Sequence, residues 1–435
     1  MTDPQTGVLL IGVLLVLIAL RVPIGAALIA VPFAGIWSLF GWKAAIGALK
    51  VIPYSFAANW QLSSVPMFLM MGFLAYHTGI TRGLFQAARV WLVRLPGGLA
   101  VASVFGAAGF ASVTGSSVAC AAAMGRIAVP EMMRAGYDDR LATGTVAAAG
   151  TIGALIPPSI LLIIYGIIAQ VPVGDLFLGG VGVGVLTAVS YVAVVVIWAM
   201  VSPSAAPRLT ESYTLADRLR VLAKVGPVLV LAVLVFGGLF AGLFTPTEAG
   251  AVGAVLCALI ALANRELTWQ RFRVSLIETF VTTSAIFVIA IGANLLGRFV
   301  TLSGADRYIA DTIVALASDP VMLMLGIVVI YLILGMFLDP MGAMLLTLPI
   351  LMPVARSAGF DLLWFGILVA KLLEIGMITP PIGLNVFVIK NVVGSRIALG
   401  RIFRGVAWFL VADLVVVAVL LAFPGFTLFL PALMK

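Results

Sequence analysis

Residues 115–159 read GSSVACAAAMGRIAVPEMMRAGYDDRLATGTVAAAGTIGALIPPS, and residues 338–382 read LDPMGAMLLTLPILMPVARSAGFDLLWFGILVAKLLEIGMITPPI. Laid together without a gap, 223 residues apart, Pro130 falls on Pro353, Gly136 on Gly359, Asp138 on Asp361 and Gly153 on Gly376. The pair Pro157-Pro158 falls on Pro380-Pro381. Each copy joins a tip of helix breakers, a short proline-ended helix, a charged turn and an apolar helix interrupted by two prolines. Proline has no N–H and its ring collides with the preceding turn, so a proline pair opens the helix there. Two interrupted apolar units at matching places in two halves point to a secondary transporter whose site lies between the repeats.

Composition sets the surroundings. Of 435 residues, 63% are hydrophobic and 10% are charged, which belongs to a polytopic membrane protein and excludes an ordinary soluble domain. The first apolar run, Val8 to Leu20, follows Asp3 rather than a basic cluster and leads into no small-residue cleavage site, so it reads as a retained span. The net charge is +8, but the cations are scattered through short loops without interleaved aromatics, which argues against nucleic acid. Cys120 and Cys257 are the two cysteines and both lie in apolar segments, leaving no disulfide framework or transition-metal spacing. Walker A and Gly-x-Ser-x-Gly motifs are absent and His77 is the single histidine, so no catalytic set or cofactor site emerges and the chain does not read as an enzyme.

A bilayer crossing needs about 20 apolar residues. The runs of that kind are 7–20, 23–41, 60–78, 141–169, 176–200, 226–243, 249–263, 276–302, 362–390 and 406–423. Two more, 97–125 and 321–353, are interrupted halfway by Gly115-Ser116-Ser117 and Asp339-Pro340, and each half is short, so each reads as a re-entrant helical hairpin. The expected fold is therefore all-α and polytopic, with five spans and one hairpin in each of two repeats, 1–201 and 226–435. An odd number of spans makes the second repeat enter the membrane inverted. Residues 202–225 read as a connector carrying a separate interfacial helix from Leu215 to Val225. With the N-terminus outside, seventeen of the basic loop residues fall on the cytoplasmic side, and Lys43, Lys50, Arg307, Arg356 and Lys435 fall outside.

Backbone opened inside a membrane survives only where protein buries it or a wet cavity meets it. Carbonyls freed near Gly115, Pro157, Pro158, Pro340, Pro380 and Pro381 suit a hard cation such as Na⁺, and helix N-termini attract anions. The hydroxyls of Ser116, Ser117, Thr151, Ser159 and Thr379 and the amide of Asn385 could complete such shells. Tight packing by small residues and simple proline kinks are the alternative. Asp339 stands at the second tip where Ser116 stands at the first. Lys371 and Glu374, three apart on one helix, could form an intramembrane ion pair. Asp413 reads as alone in the last span, Glu278 as near enough to its helix end to reach water, and His77 as an interfacial end residue.

These motifs, with IGMITPPIGLNVFVIK, resemble the large membrane subunit of TRAP (tripartite ATP-independent periplasmic) transporters over nearly the whole chain. The resemblance implies an elevator-type ion transporter. Its moving unit would be built from 97–169 and 321–390, with the remaining spans as scaffold. It implies Na⁺ as coupling ion and no other cofactor, a separate small membrane subunit, a periplasmic substrate-binding protein, and a small organic anion such as a carboxylate as cargo. It also implies the bacterial inner membrane. Carried over by position, Gly115, Ser116, Ser117 and Thr151 to Ser159 match the first half-site, and Asp339, Pro340, Gly376, Thr379, Pro380, Pro381 and Asn385 match the second. A stand-alone Na⁺- or H⁺-coupled anion exchanger of the same architecture is the alternative.

Overall fold

The computed structural model describes residues 3–208, 213–316 and 319–434, so Lys435 and 209–212 of the expected connector lie outside the described residues. Every regular element among the described residues is helical. The first half holds α1 (Pro4–Ala19), α2 (Ile24–Phe40), α3 (Trp42–Ala57), α4 (Ser64–Thr78), α5 (Arg82–Leu92), α6 (Gly98–Thr114), α7 (Ser117–Arg134), α8 (Asp139–Thr151), α9 (Ile160–Ala169) and α10 (Val173–Val201). The second holds α11 (Leu215–Phe240), α12 (Pro246–Ala263), α13 (Trp269–Ser303), α14 (Ala305–Leu316), α15 (Pro320–Phe337), α16 (Pro340–Ser357), α17 (Leu362–Gly376), α18 (Leu384–Val393), α19 (Leu399–Ala422) and α20 (Gly425–Leu433). Seven of these are long and apolar enough to cross a bilayer, and four shorter ones are apolar, which makes this a multi-pass membrane protein.

The 223-residue offset that aligned the motifs also aligns the helices. It carries α7 onto α16 end for end, and α5 onto α14 and α8 onto α17 with matching starts. Local chemistry sets those ends. Ser116 Oγ accepts the Ala119 N–H (3.3 Å) at the start of α7, and Asp339 Oδ2 accepts the Gly342 N–H (2.9 Å) at the start of α16, where Pro340 occupies the first turn. Asp138 and Asp361 cap α8 and α17 in the same way. One pair differs: α3 and α4 together correspond to the unbroken α13. The first copy has Asn59 there, whose side chain accepts the Gln61 N–H (2.9 Å) and turns the chain through a 3₁₀ segment, Trp60–Ser63.

Packing is exchanged between the halves. α4 lies on α12 as α13 lies on α2, α5 on α11 as α14 on α1, α7 on α18 as α16 on α9, and α8 on α19 as α17 on α10. Reciprocal exchange of this kind is what a two-fold axis between inverted copies produces.

Several sequence expectations are corrected. The helix expected to end at Val225 does not end: α11 runs without a break from Leu215 to Phe240 across Pro227, because nothing near Lys224 supplies a cap or a turn. The span drawn as 276–302 is the 35-residue α13, about 50 Å long at 1.5 Å per residue, so it tilts or projects beyond a hydrocarbon core of about 30 Å. The helices α3, α5, α14 and α20 were not expected; α5 and α14 are amphipathic and too polar to register as apolar runs. The arms of the second hairpin, α15 and α16, are each 18 residues and individually long enough to cross. Their junction nonetheless faces Glu278 to Ile289 of α13, so the two arms meet beside the interior of that helix rather than at its ends.

Candidate functional site

The first copy closes on itself at its break. Gly115 adopts the left-handed backbone (φ +60°), and a Cβ there would lie 1.9 Å from the Pro158 carbonyl oxygen, so the hairpin tip rests directly on the proline pair. Ser117 Oγ donates to the Thr151 carbonyl (3.3 Å), and the Gly153 Cα lies against the Ser116–Ser117 peptide. Ser159 Oγ donates to the Ala154 carbonyl (2.5 Å) and accepts the Leu162 N–H (3.2 Å), which caps α9. Pro157 and Pro158 are buried.

The second copy is arranged differently. Gly376 meets the backbone of Gly335, inside the first arm of its hairpin rather than at the tip. Thr379 Oγ1 donates back to the Ile375 carbonyl (2.6 Å) at the end of α17, and Pro380 and Pro381 are exposed. The peptide bonds Pro157-Pro158 and Pro380-Pro381 are both cis. Asn385 reaches across to the first copy, its Nδ2 donating to the Ala147 carbonyl (3.3 Å), while its Oδ1 is buried with no hydrogen-bond partner among the described residues.

Both tips open into one cavity of about 610 Å³. Gly115, Ser116 and Ser117 line it from one copy and Asp339 and Pro340 from the other, with Ala154 and Met377, which occupy the same repeat position, behind them. The facing wall is Leu69, Gly72, Phe73 and Tyr76 of α4 and Glu278, Thr282, Ala285, Ile286 and Ile289 of α13. The other expected site residues do not line it: Thr151, Gly153, Pro157, Pro158 and Ser159 are buried behind the first tip, Gly376 packs on Gly335, Thr379 bonds to Ile375, Asn385 reaches Ala147, and Pro380 and Pro381 are exposed. Every donor atom they offer is oxygen, and the orphaned Asn385 Oδ1 asks for a donor or a hard cation, so the residues fit Na⁺ rather than a soft metal.

Its charged lining, among the described residues, is acidic: Asp339 and Glu278. Glu278 is not simply turned to water, since its Oε2 lies 2.9 Å from His77 Nε2 and ties the end of α4 to α13. Nor is Asp413 alone. Lys371 Nζ donates to Asp413 Oδ1 (2.7 Å), closer than its neighbour Glu374 at 3.5 Å, and the Tyr191 hydroxyl lies 2.8 and 2.9 Å from the two Asp413 oxygens. Thr151 Oγ1 meets that hydroxyl at 3.2 Å, so a buried polar chain runs from Ser117 through Thr151 and Tyr191 to the ion pair. Sequence reasoning missed Tyr191, whose signal was a phenol in an otherwise apolar span, and missed His77 with Glu278, which 201 residues of chain separate.

Comparison with known proteins places this geometry in context. The family model "Tripartite ATP-independent periplasmic transporter, DctM component" matches residues 11–426. The C4-dicarboxylate TRAP transporter large permease protein DctM of Pseudomonas aeruginosa is 34% identical over 388 residues, 89% of this chain and 90% of that protein. The sialic acid TRAP transporter large permease protein SiaM of Vibrio cholerae is 32% identical over 376 residues, 86% of this chain and 87% of that one. The crystal structure of the YdaH transporter of Alcanivorax borkumensis shares the fold at TM-score 0.60 and 16% identity, covering 89% of each chain.

Proposed function

The chain belongs to the DctM family of TRAP transporter large permeases, and from that premise we propose that it imports a small organic anion with Na⁺ across the bacterial inner membrane. The carrying observation is the single cavity in which the tips of both repeats face α4 and α13. Oxygen donors stand behind both tips, and the lining offers serine hydroxyls and the N-terminus of α7, which favour an anion. The acidic side chains Asp339 and Glu278 disfavour an anion bound alone. A cation bound behind the tips offsets that repulsion, so Na⁺ and anion each raise the other's affinity by the same factor.

In this reading residues 97–169 and 321–390 move as a unit against the remaining helices. A small membrane subunit and a periplasmic binding protein complete the transporter, and the N-terminus lies on the periplasmic side. The C4-dicarboxylate and sialic acid relatives make carboxylates the first substrates to try. The test is uptake into proteoliposomes holding the chain with its small subunit and a loaded binding protein. Uptake that needs an inward Na⁺ gradient supports the proposal. Undiminished uptake with K⁺ in place of Na⁺ removes the coupling, and undiminished uptake without the binding protein removes that partner.

A further inference from the structure

A second and larger cavity, about 860 Å³, lies beyond the first along the same helices. On α13 the tip cavity takes Glu278 to Ile289 and the second cavity takes Ala293 to Thr301; on α16 the division falls between Met341 and Leu348, and on α9 between Leu161 and Ile167. The two cavities therefore follow one another along these three helices. Their chemistry is opposite. The tip cavity presents carboxylates and no cation among the described residues, whereas the second presents the guanidinium groups of Arg298 and Arg356 with the amides of Asn59, Gln170 and Asn294, against one carboxylate, Asp306. Asp306 Oδ1 already accepts the Arg307 N–H (2.8 Å). Both arginines are exposed, and neither makes a hydrogen bond or salt bridge to the described residues.

We propose that this second chamber is an anion-binding vestibule, in which Arg298 and Arg356 take the carboxylate of the cargo before it reaches the hairpin tips. The inference rests on the transport reading for the direction of travel, but the chamber's preference for anions stands on its own residues. Arginine suits the task because its planar fork pairs with a carboxylate through two parallel hydrogen bonds. One arginine sits on α13 and the other on α16, so an anion bridging them spans the helices that face each other across the tip cavity. A cleft lined by one sign of charge also concentrates counter-ions and speeds their capture.

The test places a cysteine at Ser55, an exposed residue lining the chamber, in a chain whose native Cys120 and Cys257 are buried. Its reaction rate is compared for an anionic (sulfonatoethyl) and a cationic (trimethylammonium-ethyl) methanethiosulfonate reagent. The anionic reagent is expected to react several-fold faster. Arg298→Gln with Arg356→Gln abolishes that preference, Arg307→Gln outside the chamber leaves it, and succinate or N-acetylneuraminate slows the anionic reagent at fixed ionic strength. Equal rates for the two reagents, or an equal effect of Arg307→Gln, overturn the vestibule as a site; absence of protection by both anions overturns its assignment to carboxylates. In uptake assays the double variant raises KM about tenfold with kcat kept, and an unchanged KM contradicts the proposal. Loss of Na⁺-driven uptake in wild type with labelling preference intact would instead count against the transport reading.

Discussion

Lys371 Nζ lies 2.7 Å from Asp413 Oδ1, and both side chains are within 1% of complete burial. This contact joins α17, the first half of a broken helix, to α19, and the Tyr191 hydroxyl completes the carboxylate's shell from α10. Glu374 Oε2 stands 3.5 Å from the same ammonium. The charge of Lys371 therefore answers two carboxylates.

Removing that ammonium leaves both carboxylates buried without a counter-charge. Lys371→Met is expected to destabilise the fold by about 3–5 kcal/mol, and adding Asp413→Asn and Glu374→Gln to recover much of the loss. Thermal unfolding in detergent measures both. A stable single variant would show that the ion pair carries little.

Gly115 has two reasons to be glycine, its positive φ and the carbonyl 1.9 Å from any Cβ, whereas Gly153 has only a contact of 3.1 Å. Gly115→Ala should cost about 3 kcal/mol and pull the tip off Pro158, combining left-handed strain with overpacking. Gly153→Ala should cost less than half as much. Uptake and melting temperature together rank the two; the reverse order contradicts the packing described.

Asn385 links the copies through Ala147 and carries the orphaned Oδ1. Asn385→Leu should raise the Na⁺ concentration for half-maximal uptake at least about tenfold, the loss of one ligand to a charged group. Ser117→Ala, which removes a lining hydroxyl and its bond to the Thr151 carbonyl but no orphaned oxygen, should move it less. A Na⁺ titration that Asn385→Leu leaves unshifted places the cation elsewhere.

Outside the membrane, Asp138 caps α8 and pairs with Arg140 at 2.9 Å, and that guanidinium holds its carboxyl below the usual range. A lowered folded value means the pair contributes above the ordinary carboxylate pKa of about 3.9 and is lost as pH falls through it and below. Asp138→Asn keeps a capping side chain and loses the charge, so it should cost less than about 1 kcal/mol at neutral pH, with the gap to wild type closing in acid. Unfolding followed from neutral to acid pH checks this, and a pH-independent gap contradicts it.

The repeat, the tips and the proline breaks were legible because backbone-breaking residues announce themselves locally, and a shared register multiplies that signal. Ser116 and Asp339 reached one cavity as their equivalence suggested. The asymmetry between copies was not legible. Pro157-Pro158 is covered because Gly115 fits against it, and Pro380-Pro381 is exposed because the second hairpin meets its broken helix at Gly335 instead. Partners across hundreds of residues, such as Lys371 with Asp413, leave no trace in spacing. The amphipathic α5 and α14 escaped because hydropathy averages their two faces.

The proposed transport cycle requires cargo and Na⁺ to meet between the two tips. Cysteines placed singly at Val118, beside the first tip, and Met341, beside the second, both line that cavity and report on it directly. In the assembled transporter, Na⁺ with cargo should protect both from a thiol reagent and Na⁺-free cargo should protect neither. Protection at one position alone, or at neither while Na⁺-driven uptake continues, would contradict a shared site.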